Sequence, residues 1–298
     1  MLGTGIFQIS TFLPALVFSH GGTIVEKKIC LNLSALIHLD FEEQLRVSSQ
    51  AGFQAVGIRE VNLINYLSSG KTLKDAGMLL DQYGLKSIEY NYFSNWIFAD
   101  SEERTKMTGR FDFFCQSAVM TGENQVLVAP VSYENKNDLK DNAAAVRNLK
   151  EIGNIARSYN TRVAVEFLPW TQIDSIESAW DIVHEVDMEN VGIVLDTFHY
   201  FEGRSTVEGL HLVPVDKIFI CHIDDMDTVE GDLLTRTREH RVLPGEGKYQ
   251  FDEVLSYLEG HNYGGYYSLE ILNKDYYKKD PLELALSAKR SMEDLLYQ

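Results

Sequence analysis

Four residues in the second half of the chain share a pattern that can do metal chemistry. Val163-Ala164-Val165 runs into Glu166, Ile193-Val194-Leu195 into Asp196, Ile218-Phe219-Ile220-Cys221 into His222, and Ser268-Leu269 into Glu270. A charged residue that closes one buried strand is ordinarily just solvated at the rim. Four in succession, each after an apolar run, are expected to converge on one site. Three carboxylates and one imidazole form a hard, oxygen-rich donor set that favours one divalent ion, Mn²⁺, Mg²⁺ or Co²⁺, and admits Zn²⁺. Such an ion stabilises the negative oxygen that develops when a proton leaves the carbon beside a carbonyl, and it orients a neighbouring hydroxyl. Two carboxylates on opposite faces of a substrate can then take that proton and return it.

The elements that must position these groups repeat from Lys28 onward as a short apolar run, a polar loop and an amphipathic helix. The expected strands are Ile29–Leu33, Ala55–Ile58, Lys86–Tyr90, Gln125–Ala129, Arg162–Glu166, Val191–Asp196, Lys217–His222 and Tyr266–Glu270. Continuous apolar runs such as Val163-Ala164-Val165 read as parallel strands buried on both faces. The helices between them carry the 3.6 period: Ile176, Ala179, Trp180 and Val183 share a face, as do Phe251, Val254, Leu255 and Leu258. Asp40 and Glu43 form a capping-box signature, and Gly52 marks the end of that helix. Eight strand–helix units predict an α/β fold of the (β/α)8 TIM barrel type, with catalytic groups at the carboxyl ends of the strands. A doubly wound open sheet is disfavoured because no Gly-rich phosphate loop follows the first strand. Residues 27–298 are expected to form one catalytic domain, with 1–26 as an extension outside the barrel core. The longest irregular segment, Asp224 to Lys248, is expected to loop over the mouth.

Composition narrows the partners. Hydrophobic residues make up 45% of the 298, enough for a sizeable core. Against 44 Asp and Glu stand 27 Lys and Arg, a net charge of −17 that repels a phosphate backbone, so no nucleic-acid partner is expected. The three cysteines, Cys30, Cys115 and Cys221, are far apart and in no Cys-x-x-Cys pair, which fits a reducing compartment and a cytoplasmic protein. No apolar run reaches the roughly 18 residues that a bilayer requires, so no membrane partner is expected. Ile9 to Ser19 is apolar like the core of a signal peptide, but no Lys or Arg precedes it. Assembly into a homo-oligomer is left open.

The run Asp196-Thr197-Phe198-His199, then His222, then Arg241-Val242-Leu243-Pro244-Gly245-Glu246-Gly247, then the strand into Glu270, resembles the sugar isomerase/epimerase branch of the xylose-isomerase-like barrels. Ketose 3-epimerases and inosose isomerases or dehydratases belong to that branch. The resemblance covers roughly Lys28 to Gln298. It implies that Glu166, Asp196, His222 and Glu270 ligate the metal, that Glu166 and Glu270 double as the acid–base pair, and that His199 and Arg241 hold substrate oxygens. Two departures sit near the substrate: Gly57 stands in Val56-Gly57-Ile58-Arg59 where many members carry Glu, and the segment between His222 and Arg241 is long.

Each singled-out residue has a plainer reading beside it. His199 could instead buttress Asp196, and Arg241, just before Pro-Gly-x-Gly, could form a loop–helix ion pair. Trp170, with Tyr90, Phe93 and Trp96, could wall a sugar pocket or only pack. Arg59 and Glu60 could meet a substrate carboxylate or be solvated. The leading expectation is a metal-dependent isomerase or epimerase of a small sugar, sugar phosphate or keto-polyol. A dehydratase on the same barrel is the alternative, because the same enediolate can expel a β-hydroxyl and Arg-x-Leu-Pro-Gly-Glu-Gly also resembles dehydroshikimate dehydratase-like members. An endonuclease IV-like apurinic endonuclease shares Asp-x-x-His but needs further histidines from early strands, and none lies between His38 and His184. A sugar-binding barrel without catalysis would not need the paired carboxylates.

Overall fold

The structure, a computed structural model, describes residues 26–122, 125–130 and 142–297. Eight parallel strands close a barrel: β1 (Lys28–Asn32), β2 (Ala55–Arg59), β3 (Lys86–Asn91), β4 (Val126–Pro130), β5 (Arg162–Glu166), β6 (Val191–Asp196), β7 (Ile218–Ile223) and β10 (Tyr266–Leu269). Around the circumference they run β1-β10-β7-β6-β5-β4-β3-β2. The expected strands are therefore all present: Arg162–Glu166 and Val191–Asp196 have the expected bounds, and the others differ by one residue at one or both ends. The apolar run Ile9–Ser19 lies outside the described residues.

Burial on both faces explains the apolar runs. Every residue of β4, β6 and β7 is buried. One face of each strand meets a small core inside the barrel, built from Val126, Val128, Ala164, Val194, Phe219 and Ile220. The other meets the helices. On that outer side Tyr90 packs edge-on against Phe114 at 4.3 Å, and Phe93 and Trp96 pack on Phe111. The three aromatics raised as pocket walls are thus core residues behind the barrel. Trp96 also donates Nε1–H to Asn148 O at 2.9 Å, which satisfies its one polar atom.

Helix ends follow their capping chemistry. Asp40 accepts from Glu43 N at 2.8 Å and starts the helix Phe41–Gln50. The reciprocal arm of the expected capping box is replaced, because the Glu43 carboxylate pairs with Arg46 instead. Gly52, at φ +85, lets the chain leave that helix without a Cβ clash.

The segment expected to be an irregular loop is largely ordered structure. Short strands β8 (Asp225–Met226) and β9 (Arg241–Val242) pair antiparallel, with the helix Leu233–Glu239 between them. The Asp225 carboxylate accepts from Gly245 N, Gly247 N and Tyr249 N, each at 3.0 Å, and so pins the turn that follows Arg241. Gly247 is required there for space: a Cβ would lie 2.2 Å from Asp225 Oδ1. Among the described residues, no helix is long and apolar enough to cross a membrane, and all three cysteines are buried and free.

Candidate metal centre

Neighbouring strands β5, β6, β7 and β10 carry the four expected ligands to one place. Glu166 and Asp196 end their strands, His222 is the penultimate residue of β7, and Glu270 directly follows β10. Glu270 N–H still donates to Ile223 O at 3.0 Å, so the ladder fixes its position as firmly as a strand residue. One donor atom from each of the four lies within 4.8 Å of the other three, and all four residues are buried.

The donor set fits a cation. His222 Nδ1 lies 3.3 Å from Glu270 Oε2, 3.5 Å from Glu166 Oε1 and 3.8 Å from Asp196 Oδ2, yet makes no hydrogen bond. A bare ring nitrogen facing three carboxylates is the arrangement a divalent ion would complete. Among the described residues, five acidic side chains, Glu89, Glu166, Asp196, Asp224 and Glu270, meet two guanidinium groups and two imidazoles here, those of His222 and His199. Buried charge of one sign costs several kcal/mol per ion unless compensated. A divalent cation would offset that excess.

The electrostatics separate these groups. Burial raises the Glu166 carboxyl above its usual range, more than the nearby His222 lowers it. Burial acts the same way on Glu270, but His222, Arg241 and Arg59 outweigh it and hold that carboxyl at about 2. Asp196 is also held well below its usual range: Arg241 and the histidines overcome the cost of burial. Burial disfavours charge on His222, yet Glu89 and the ligand carboxylates prevail and raise its pKa well above the ordinary value. Metal binding at Nδ1 would displace that proton.

Arg241 lies inside this cluster, 2% exposed. Its Nη1 donates to Asp196 Oδ2 at 2.9 Å, to Glu270 Oε2 at 3.2 Å and to Asp224 Oδ2. Nε and Nη2 both donate to Thr237 Oγ1, and the guanidinium stands over the Phe198 ring. The residue is neither a loop–helix ion pair nor turned out to solvent; it braces two ligand carboxylates. His199 Nε2 lies 3.8 Å from Asp196 Oδ2 and 3.4 Å from Arg241 Nη2. Its backbone N–H donates to Asp196 Oδ1 at 2.9 Å, so Asp196 also caps the helix Thr197–Glu202. Burial lowers the His199 pKa to about 4, which keeps the ring neutral at pH 7. Trp170 meets the His199 ring edge-on at 5.3 Å, so of the four aromatics considered it stands beside the site.

Two residues of the site, Asp224 and Glu89, went unassigned in the sequence, and a third, Arg59, was read there only as a partner for a substrate carboxylate or as solvated. Asp224, fully buried, holds Arg241 and accepts from Thr197 Oγ1 at 2.9 Å. Arg59 turns inward and donates Nη1–H to Glu270 Oε1 at 2.8 Å, whereas Glu60 turns outward to Arg110. Glu89, on β3, contacts His222 from the far side. A signal for Glu89 was available: a lone acid within a strand, beside a strand carrying Gly57.

Comparison with known proteins agrees with this fold. The family model described as xylose isomerase-like TIM barrel matches residues 45–295. Over 275 residues the chain is 28% identical to an inosose isomerase of Bacillus velezensis, covering 89% of this chain and 96% of that one. Over 251 residues it is 27% identical to a 3-dehydroshikimate dehydratase of Pseudomonas aeruginosa, covering 84% of this chain and 39% of that longer protein. A crystal structure of the IOLI protein with a bound zinc atom superposes with a TM-score of 0.83 at 25% identity, over 90% of this chain and 98% of that one. The match spans the barrel from its first long helix to its last, and the buried donor set stands at the strand ends where this fold places its chemistry: the chain belongs to the xylose isomerase-like TIM barrel family.

Proposed function

We propose that residues 27–298 act as one metal-dependent isomerase or epimerase domain, moving a proton on the carbon beside the carbonyl of a small keto-polyol. The observation that carries this reading is the cluster of Glu166, Asp196, His222 and Glu270, with donor atoms within 4.8 Å of one another and a bare His222 Nδ1. These four would hold the cation, with Mn²⁺, Mg²⁺ or Co²⁺ favoured by the oxygen-rich set and Zn²⁺ suggested by the IOLI structure. When bound, the ion supplies Lewis-acid stabilisation of negative charge on the substrate carbonyl oxygen. Glu166 ends one outer strand of the four-strand arc and Glu270 follows the other, and the reading assigns their carboxylates to the two sides of the reacting carbon. One, as the carboxylate, removes a proton, and the other, as the carboxylic acid, delivers its own proton to the opposite face. Arg241 and Arg59 fix the Glu270 carboxylate from two sides, which limits its freedom to leave that position. His199, neutral and beside Asp196, is assigned to a substrate hydroxyl, and Trp170 to a wall against the sugar face. Arg241 acts on substrate oxygens from beside the Asp196 and Glu270 carboxylates it holds. The inosose isomerase relative points to a cyclic keto-polyol.

A dehydratase is the second reading, favoured by Arg59, a part-buried cation beside Glu270 that could meet a substrate carboxylate. Proton NMR in D₂O separates the two. An isomerase or epimerase incorporates deuterium at the carbon beside the carbonyl and interconverts substrate and product. A dehydratase instead accumulates a conjugated, ultraviolet-absorbing product with little return. If metal-loaded protein exchanges no deuterium into any of a broad panel of ketoses, inososes and dehydroshikimate, the proton-transfer reading fails. No incision of abasic DNA is expected at low salt, and Glu166-dependent incision would overturn the assignment.

A further inference from the structure

The imidazole at the centre of the ligand cluster is held from behind by a carboxylate that belongs to no motif. Glu89 reaches from β3 across the barrel to β7, where Oε2 lies 2.7 Å from His222 Nε2. Its other oxygen accepts from Ser268 Oγ of β10 at 2.5 Å and from Asn32 Nδ2 of β1 at 3.2 Å. Glu89, Asn32, Ser268 and His222 are all completely buried. With both oxygens engaged on three strands, the carboxylate cannot swing away without stranding a partner in the barrel interior, where a polar group left without its bond is costly.

Gly57 makes room for this side chain. It lies directly opposite Glu89 in the β2–β3 ladder. A Cβ at Gly57 would stand 2.1 Å from Glu89 Oε1 and 2.6 Å from Cγ, so even alanine is excluded while Glu89 holds its place. Gly57 is not among the residues with positive φ, so this glycine is needed for space rather than for backbone freedom. One pocket inside the barrel is thus shared by two adjacent positions, and a side chain from only one of them can fill it.

We infer that Glu89 is a positioning residue for the metal ligand His222, and that Gly57 and Glu89 form a steric pair in which one position stays empty so that the other can supply the carboxylate. A neutral imidazole carries one ring proton. Acceptance of that proton at Nε2 by Glu89 leaves the lone pair on Nδ1, the nitrogen that faces Glu166, Asp196 and Glu270. The same bond fixes the ring's rotation, so Nδ1 faces the cation position before any ion arrives, and its lone pair is available once an ion displaces the proton there. This inference rests on the metal reading above, and its test separates the two.

The test is a titration of chelator-treated protein with Co²⁺, read by its visible absorption, in the wild type, Glu89→Gln, Glu89→Ala and the exchange Gly57→Glu/Glu89→Ala. A carboxylate supporting a ligand histidine is worth about 10- to 100-fold in metal affinity. Glu89→Gln and Glu89→Ala should therefore bind Co²⁺ that much more weakly, with the amide the milder of the two. The exchange variant should recover most of the loss, because its carboxylate would enter the same pocket from the neighbouring strand. A purely structural Glu89 would lower the melting temperature of the metal-free protein and leave Co²⁺ affinity alone. Wild-type affinity in folded Glu89→Gln therefore overturns the positioning role, and a folded exchange variant that binds no better than Glu89→Ala overturns the steric pair. Absence of Co²⁺ binding by the wild type overturns the metal reading itself, and the inference with it.

Discussion

The two halves of the barrel mouth are built differently. In the arc β5-β6-β7-β10 every strand delivers its own donor: Glu166, Asp196, His222 and Glu270. In the arc β1-β2-β3-β4 none does among the described residues. There β4 ends in Ala129-Pro130, β1 ends in Asn32, which caps the turn behind it, and β2 ends in Arg59. The first arc in chain order, β1-β2-β3-β4, acts on the other: Arg59 on Glu270, and Glu89 with Asn32 on His222. The difference teaches that one arc carries the candidate donor set and the other supplies hydrogen-bond and ion-pair partners to it. Orientation works at a distance across the barrel, so it can be carried by whichever strand has room.

The largest effects should come from the ligand arc. His222→Ala and Asp196→Ala are each expected to take metal content from near one ion per chain to near zero, by elemental analysis of protein purified without chelator, and to abolish activity. Unchanged metal and activity in both would end the division between arcs. Glu166→Gln and Glu270→Gln should lose about 10²- to 10⁴-fold in rate, the usual worth of a positioned acid or base. Metal content must be followed alongside, since both also ligate.

The next effect tests the first arc as scaffold. Trp96→Ala should lower stability by about 3–5 kcal/mol in denaturant unfolding, because a fully buried indole and its bond to Asn148 are lost. Metal affinity of the folded fraction should stay the same; a loss there would place Trp96 back at the site. Arg59→Gln removes the cation from Glu270 and should weaken metal binding or turnover about 10-fold, with no change in melting temperature of the metal-free protein beyond what a partly exposed ion pair is worth.

The smallest effect lies at the edge of the ligand arc. Glu202 pairs with Arg236 at 2.7 Å and accepts from Tyr249 Oη at 3.1 Å, tying the Leu233–Glu239 helix to the barrel. Burial would raise its carboxyl, but Arg236 and Lys248 prevail and lower it. A depressed carboxyl stabilises the fold above its unfolded value, about 4.3, and loses that contribution as pH falls through the lower folded value. Glu202→Gln should therefore cost about 1 kcal/mol at neutral pH, with the difference from wild type shrinking on acidification. A difference that grows toward acid would reverse the assignment.

The amino-acid order alone determined the barrel and the four residues of its candidate metal centre. Strands buried on both faces must be written as continuous apolar runs, and a polar residue that ends such a run must emerge at the rim, so Glu166, Asp196, His222 and Glu270 announce themselves locally. Arg241 was visible as a residue beside a tight turn, but its burial among Asp196, Asp224 and Glu270 depends on the β8–β9 ribbon and the Asp225 clamp, which no single segment encodes. Phe93 and Trp96 were legible only as aromatic; which side of the sheet they face was set by the helix carrying Phe111 and Phe114. Glu89 and Gly57 are the clearest case. Thirty-two positions apart, the two mean nothing until the β2–β3 register sets them opposite each other. Local patterns record what each strand buries and exposes, whereas contacts across the barrel exist only after closure, and closure decides which carboxylate meets which imidazole.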